Sequence, residues 1–134
     1  MLEIKPIQHK QRQKEICELC GIDFDPEALA YSAQENEKIL GISQFRILGK
    51  QAVIFALEGA KGVEDKGALV MAGKATLNFL DLCGVEEVVA KVKNKELLSE
   101  LGFEKSEKSS NGEYRLDLAG YFDSLCHGNV GALL

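Results

Sequence analysis

The sequence predicts a mixed α/β fold, of the α+β kind: one mostly antiparallel sheet flanked by helices. Three observations carry this. Apolar periodicity changes along the chain from strand-like alternation to helical spacing and back, in the order strand, helix, three strands, helix, strand, helix, two strands. From Ala68 to Cys83 the only strongly polar side chains are Lys74, Asn78 and Asp81, so a helix there shows water one narrow stripe and must lie against a sheet. No repeat, and no linker rich in proline, glycine or serine, divides the 134 residues, so residues 1–134 read as a single domain.

Each element has its own justification. LEIKPIQ, residues 2–8, reads as a strand, and Pro6 argues for an edge or a strand end because proline cannot donate to a ladder. KQRQKEICELCG places Ile16, Cys17, Leu19 and Cys20 on one side of a helix, with Gly21 at the left-handed C-terminal position. After the breaker IDFDPE, the runs ALAYSAQ, ILGISQFRIL and AVIFALE, separated by ENEK and by Gly49 and Lys50, form a three-strand meander. Gly84 ends the long helix, in which Cys83 is expected to pack. VEEVVAKVK then reads as a strand and NKELLSELG as a short helix, and FEKSEKS and EYRLDLAGYF as strands around a turn at Asn111 and Gly112. The tail DSLCHGNVGALL is left without an element.

Bulk properties narrow the function. A chain of this length buries about two thirds of its unfolded surface and needs neither metal nor cross-links to be stable. A net charge of −5 with scattered basic residues opposes binding to nucleic acid or to an acidic membrane. The first ten residues lack an apolar export segment and no window is long enough to span a bilayer, so the cytoplasm is the expected compartment. There the four cysteines are expected to be reduced. A zinc site can be written from Cys17, Cys20, Cys126 and His127. However, the C-x-x-C pair falls in the last turn of its helix, where the dipole raises thiol pKa, so buried structural thiols and no metal are the reading. His9 and His127 have no triad partners nearby in sequence and read as surface residues.

The segment GAKGVEDKGALVMAGKATLNFLDLCGV joins a glycine-containing polar loop to the long apolar helix. Orphan amides at a helix start, with small residues such as Gly62, Gly67 and Ala68 beside them, are what an anionic phosphate needs. The loop is not a P-loop, because Ala68 and Leu69 follow Gly67 where lysine and a hydroxyl are required. The bland alternative is a strand-to-helix turn in which Ala68, Ala72 and Ala75 let the helix approach the sheet.

The element order, the strand ending in FALEG, the loop and the helix closing on LDLCGVEEVVAKV resemble the GNAT family of acyl-coenzyme A-dependent N-acyltransferases over nearly the whole chain. EIKPIQHKQRQKEICEL, EKILGISQFRIL and LGFEKS resemble other parts of the family pattern. The resemblance implies acetyl transfer from acetyl-coenzyme A to a small amine by direct attack. It implies a bulge in the fourth strand that frees backbone groups, here around Leu57 and Gly59, for the pantetheine arm. It implies that Glu64, Asp65, Lys66, Gly67 and Ala68 wrap the pyrophosphate, and that Asn94 contacts the coenzyme or caps its helix. Glu58 is the implied catalytic base. Glu64 stands where the family has arginine or glutamine, Leu69 where it has a second small residue, and Leu98 where it has an acid tyrosine. Glu64 and Asp65 put negative charge beside an anion site that Lys61 and Lys66 only balance. Tyr114 and Ser99 are the other hydroxyls weighed as donors. IDFDPEAL is too short for a substantial lid, which leaves the acceptor site open or completed by a second copy in a homodimer. The second reading is a GNAT-like binding or dimerisation module without catalysis.

Overall fold

The computed structural model, which describes residues 1–106 and 113–121, contains one seven-stranded sheet and three helices. In chain order the elements are β1 (Leu2–Pro6), α1 (Lys10–Cys20), β2 (Leu29–Glu35), β3 (Lys38–Leu48), β4 (Gln51–Gly59), α2 (Lys66–Leu82), β5 (Glu87–Ala90), α3 (Lys95–Leu101), β6 (Glu104–Lys105) and β7 (Tyr114–Asp117). The strands lie in the order β1, β2, β3, β4, β5, β7, β6, and only β4 and β5 run parallel. Pro6 closes the edge strand β1, as its missing N–H requires.

Helices cover both faces, and alternation along β3 shows how. Ile42 and Gln44 point to α1, where Ile42 joins Ile16, Cys17 and Cys20 in one buried cluster. Ser43 and Phe45 point to α2. Thr76 Oγ1 donates to the Ala72 carbonyl (2.9 Å), so its 2.7 Å contact with Ser43 is a hydrogen bond that the serine donates. Phe45 stacks on Tyr31 and meets Phe79 of α2 edge-on, with ring centroids 6.2 and 6.0 Å apart. The larger core continues under α2 and α3 through Leu77, Leu80, Leu97, Leu98 and Leu101.

Gly21 takes the left-handed conformation at the end of α1, φ 68°, as expected there. Lys74, Asn78 and Asp81 form the exposed stripe of α2. Several details differ from expectation. α2 begins at Lys66 rather than Ala68 because the Asp65 carboxylate caps it, accepting from the Ala68 amide at 3.0 Å. Cys83 is exposed, contrary to expectation, because it is the C-cap residue, where α2 ends. β5 is four residues long, not nine, since the chain leaves β4 after Ala90. β1 and β7 are also shorter than their sequence runs, and β6 has two described residues. The expected turn at Asn111 and Gly112, the ends of the runs around it, Cys126, His127 and the C-terminal tail lie outside the described residues.

Candidate active site

The site begins with a defect in strand pairing. Gln44 pairs with Ala56 and Phe45 with Ile54, which leaves Phe55 as an extra residue on β4. A bulge bends its strand and ends pairing on the other edge. Accordingly, the last rung between β4 and β5 runs from the Lys91 amide to the Ile54 carbonyl (2.8 Å). Beyond it the two strands splay. The β4 edge from Phe55 to Glu58 then faces a groove of about 460 Å³, closed on the far side by residues 91–93 and roofed by residues 20–25.

A second cleft, about 840 Å³, adjoins the first through Cys20 and Glu58. It runs past Gly59 and residues 60–66 to Leu69, Asn94 and Glu96. Among the described residues, the amides of Glu64, Asp65, Lys66 and Gly67 donate to no group of the chain, which is the state expected of a helix N-terminus. The fifth expected member of this set, Ala68, is committed to the Asp65 carboxylate and is buried. Lys66 does not face the cleft as a free cation. Its ammonium lies 2.6 Å from Glu100 and 2.9 Å from Glu96, and these bonds hold its pKa above the ordinary lysine value. Lys61 has no ion-pair partner among the described residues.

Leu69, which the resemblance sets at the second small-residue position, lines the cleft without closing it. It lies on the sheet at Gly41: a Cβ there would fall 2.5 Å from Leu69 Cδ2 and 2.9 Å from the Glu58 carbonyl oxygen. Glycine at position 41 therefore gives the leucine its seat on the cleft floor. Asn94 caps α3, accepting from the Leu97 amide at 3.1 Å, while lining the cleft. Leu98, which the resemblance sets at the tyrosine position, is fully buried in the core and presents nothing to either cavity.

Glu58 is exposed and is the charged side chain shared by both cavities. The main chain of Leu57 and Gly59 flanks it, and the Leu57 side chain is buried. Cys20 lies beside it. Burial first, then neighbouring Cys17 and Glu58, push the Cys20 thiol up to about 12, and burial with Glu18 pushes Cys17 up to about 11. Both stay protonated and unreactive at neutral pH, as expected of packed thiols. Among the described residues no group of three or more His, Cys, Asp or Glu side chains is placed to hold a metal ion, and no helix is long and apolar enough to cross a membrane.

The groove wall at residues 23–25 is held by a buried amide cluster that sequence inspection missed. Gln44 Oε1 accepts from Gln13 Nε2 (2.8 Å) and from the Asp25 amide (3.2 Å), and Gln44 Nε2 donates to the Asp23 carbonyl (3.0 Å). The signal was available: in ILGISQFRIL, Gln44 shares a strand face with Ile42, a face that must be buried. Arg46 adds a two-point bond to Asp25, at 2.6 and 2.8 Å.

That bond, ahead of smaller contributions, holds the Asp25 carboxyl below its ordinary 3.8. A carboxylate with a depressed folded pKa stabilises the fold above its unfolded value and loses that contribution as pH falls through the folded one. Arg46→Gln is thus expected to lower stability modestly at neutral pH, the pair being partly solvated. The deficit should vanish once the medium is acid enough to protonate Asp25. Urea melts at both pH values check this; an equal deficit at each would mean that Arg46 acts through packing alone.

No family model matches the sequence, and no curated protein does. Solved structures do match. The chain has the fold of the GNAT acetyltransferases, with the splayed fourth and fifth strands described above. The ribosomal-protein-S18-alanine N-acetyltransferase of Escherichia coli superposes with a TM-score of 0.69 at 13% identity, covering 88% of this chain and 94% of that one. PaiA N-acetyltransferase from Thermoplasma acidophilum, solved in complex with coenzyme A, gives 0.68 at 11% identity over 86% and 96%. A putative GNAT-family acetyltransferase from Desulfovibrio desulfuricans gives 0.66 at 13% over 88% and 99%.

Proposed function

We propose that the chain is a one-domain N-acyltransferase that takes its acyl group from acetyl-coenzyme A and passes it to a small amine. The observation that carries this is the opening between β4 and β5 beyond Ile54, continuous with a cleft lined by residues 64–66, whose amides, like that of the adjoining Gly67, are unsatisfied. These features fit the coenzyme: an open strand edge for an amide-containing arm, then a helix start for an anion. When bound, acetyl-coenzyme A supplies an activated thioester whose acyl carbon passes to the amine nitrogen as the thiol is released.

The chain's own residues do the rest. The β4 edge around Leu57 and Gly59 pairs with the arm, and the amides of residues 64–67 bind the pyrophosphate. Asn94 lies on the same cleft but spends its side-chain oxygen on α3. Glu58, exposed at the junction of the two cavities, takes the ammonium proton and passes it to water. With Leu98 buried, no tyrosine hydroxyl from that position reaches the leaving group, so its proton comes from solvent. Glu64 and Glu96 border the anion subsite and weaken it through like-charge repulsion.

The second reading, a binding module without catalysis, is favoured by two observations: Leu98 is sealed in the core, and Asp65 consumes one of the expected loop amides. An amide-detected NMR titration with coenzyme A separates the two. The transferase reading expects shifts concentrated at residues 55–58 and 64–67. Shifts elsewhere, or none, would remove it.

A further inference from the structure

The groove between β4 and β5 carries an unusual charge arrangement. Of the five charged side chains that line it besides the buried Cys20, Asp25 is neutralised by Arg46. The other four, Asp23, Glu58, Lys91 and Lys93, make no ion pair and no side-chain hydrogen bond among the described residues. All four are exposed. They are also sorted by element. The acids come from the α1–β2 loop and from β4, and the bases from the segment that diverges from β4. Opposite charges that border one groove without neutralising each other keep their fields available to a ligand. A diamine would meet two lysines, and a simple anion would meet two carboxylates. A molecule with both an ammonium and a carboxylate satisfies both pairs. Ile22, Phe24 and Phe55, each half-buried, add an apolar flank.

We infer that the acceptor of this site is a free amino acid with an apolar side chain, its ammonium toward Asp23 and Glu58 and its carboxylate toward Lys91 and Lys93. The acetylated product would then be an N-acetylamino acid. This identity rests on the acyltransferase reading for its chemistry, while the binding step does not.

The test is a set of NMR titrations of the native protein with leucine and phenylalanine, and with leucinamide, N-acetylleucine and 1,4-diaminobutane, each repeated on the Lys91→Gln, Lys93→Gln double variant. Leucine and phenylalanine are expected to shift residues 22–25, 55–58 and 91–93. Masking either charge should weaken binding by about tenfold or more, because one charged pair is then left without its partner. The double variant should lose about as much affinity for leucine yet bind leucinamide and coenzyme A as the native chain does. Both lysines are exposed, so its melting temperature should match the native value and exclude misfolding. The inference fails if leucinamide or the diamine binds as well as leucine, if the double variant loses leucine and leucinamide alike, or if no amino acid binds. Leucine binding without coenzyme A binding would overturn the transferase reading alone. Coenzyme A-dependent acetylation of the diamine but not of leucine would overturn this inference alone.

Discussion

Glu58→Gln is expected to lower turnover by about 10²–10⁴-fold, the usual range for loss of a positioned general base. The amide keeps the shape of the carboxylate and its place at the end of β4, but it cannot take a proton from an ammonium. Because Glu58 is exposed and unpaired, its replacement disturbs no packed group, and melting temperature and coenzyme A affinity should stay as they are. The informative measurement is kcat as a function of pH. A base that has been removed lowers kcat most near neutrality, and the loss shrinks in alkaline solution, where the amine arrives already deprotonated. A variant as active as the native chain at neutral pH would mean that water or another group removes the proton.

Gln44→Leu is expected to cost about 3 kcal/mol of stability. Leucine fills the space of glutamine but leaves the Asp25 amide and the Asp23 carbonyl without the partners they now have at 3.2 and 3.0 Å, and leaves Gln13 Nε2 with only its 3.3 Å bond to the Asp25 carbonyl. Each orphaned buried polar group costs about 1–3 kcal/mol, and one network does not add linearly. The Cys17 thiol, 3.5 Å from Gln44 Oε1, loses its acceptor as well. Urea denaturation measures the effect, and a loss under about 1 kcal/mol would show that water or local movement satisfies these groups. Because the cluster fixes residues 23–25, the same variant should loosen the groove wall and accelerate amide exchange at Asp25.

Much of the fold could be read from the sequence because it depends on patterns that burial enforces. The narrow polar stripe of α2 allowed one packing, against a sheet. The glycine after Cys20 and the proline at the end of β1 mark conformations that few other residues tolerate. The place where β4 and β5 diverge was legible in outline, since it lies in the strand ending in FALEG that precedes the polar loop and the apolar helix. What stayed hidden depends on contacts between distant residues. Asp65 looked like a charge opposing an anion, whereas it also serves as the helix cap and removes Ala68 from the set of free amides. Leu69 stood where the resemblance implies a small residue, yet Gly41, 28 positions earlier in the numbering, gives it a place on the cleft floor. Lys66 looked available and is held by Glu96 and Glu100 of α3. Cys83 looked like part of an apolar helix face, but α2 ends one residue too soon to bury it.

The open strand edge and the unsatisfied helix start act as one binding surface only if coenzyme A prefers the native chain to the unfolded one. Unfolding free energy measured with and without the ligand tests this most directly. At about a hundred times the dissociation constant, coenzyme A should add about 2.7 kcal/mol. No gain in stability at millimolar coenzyme A would contradict it.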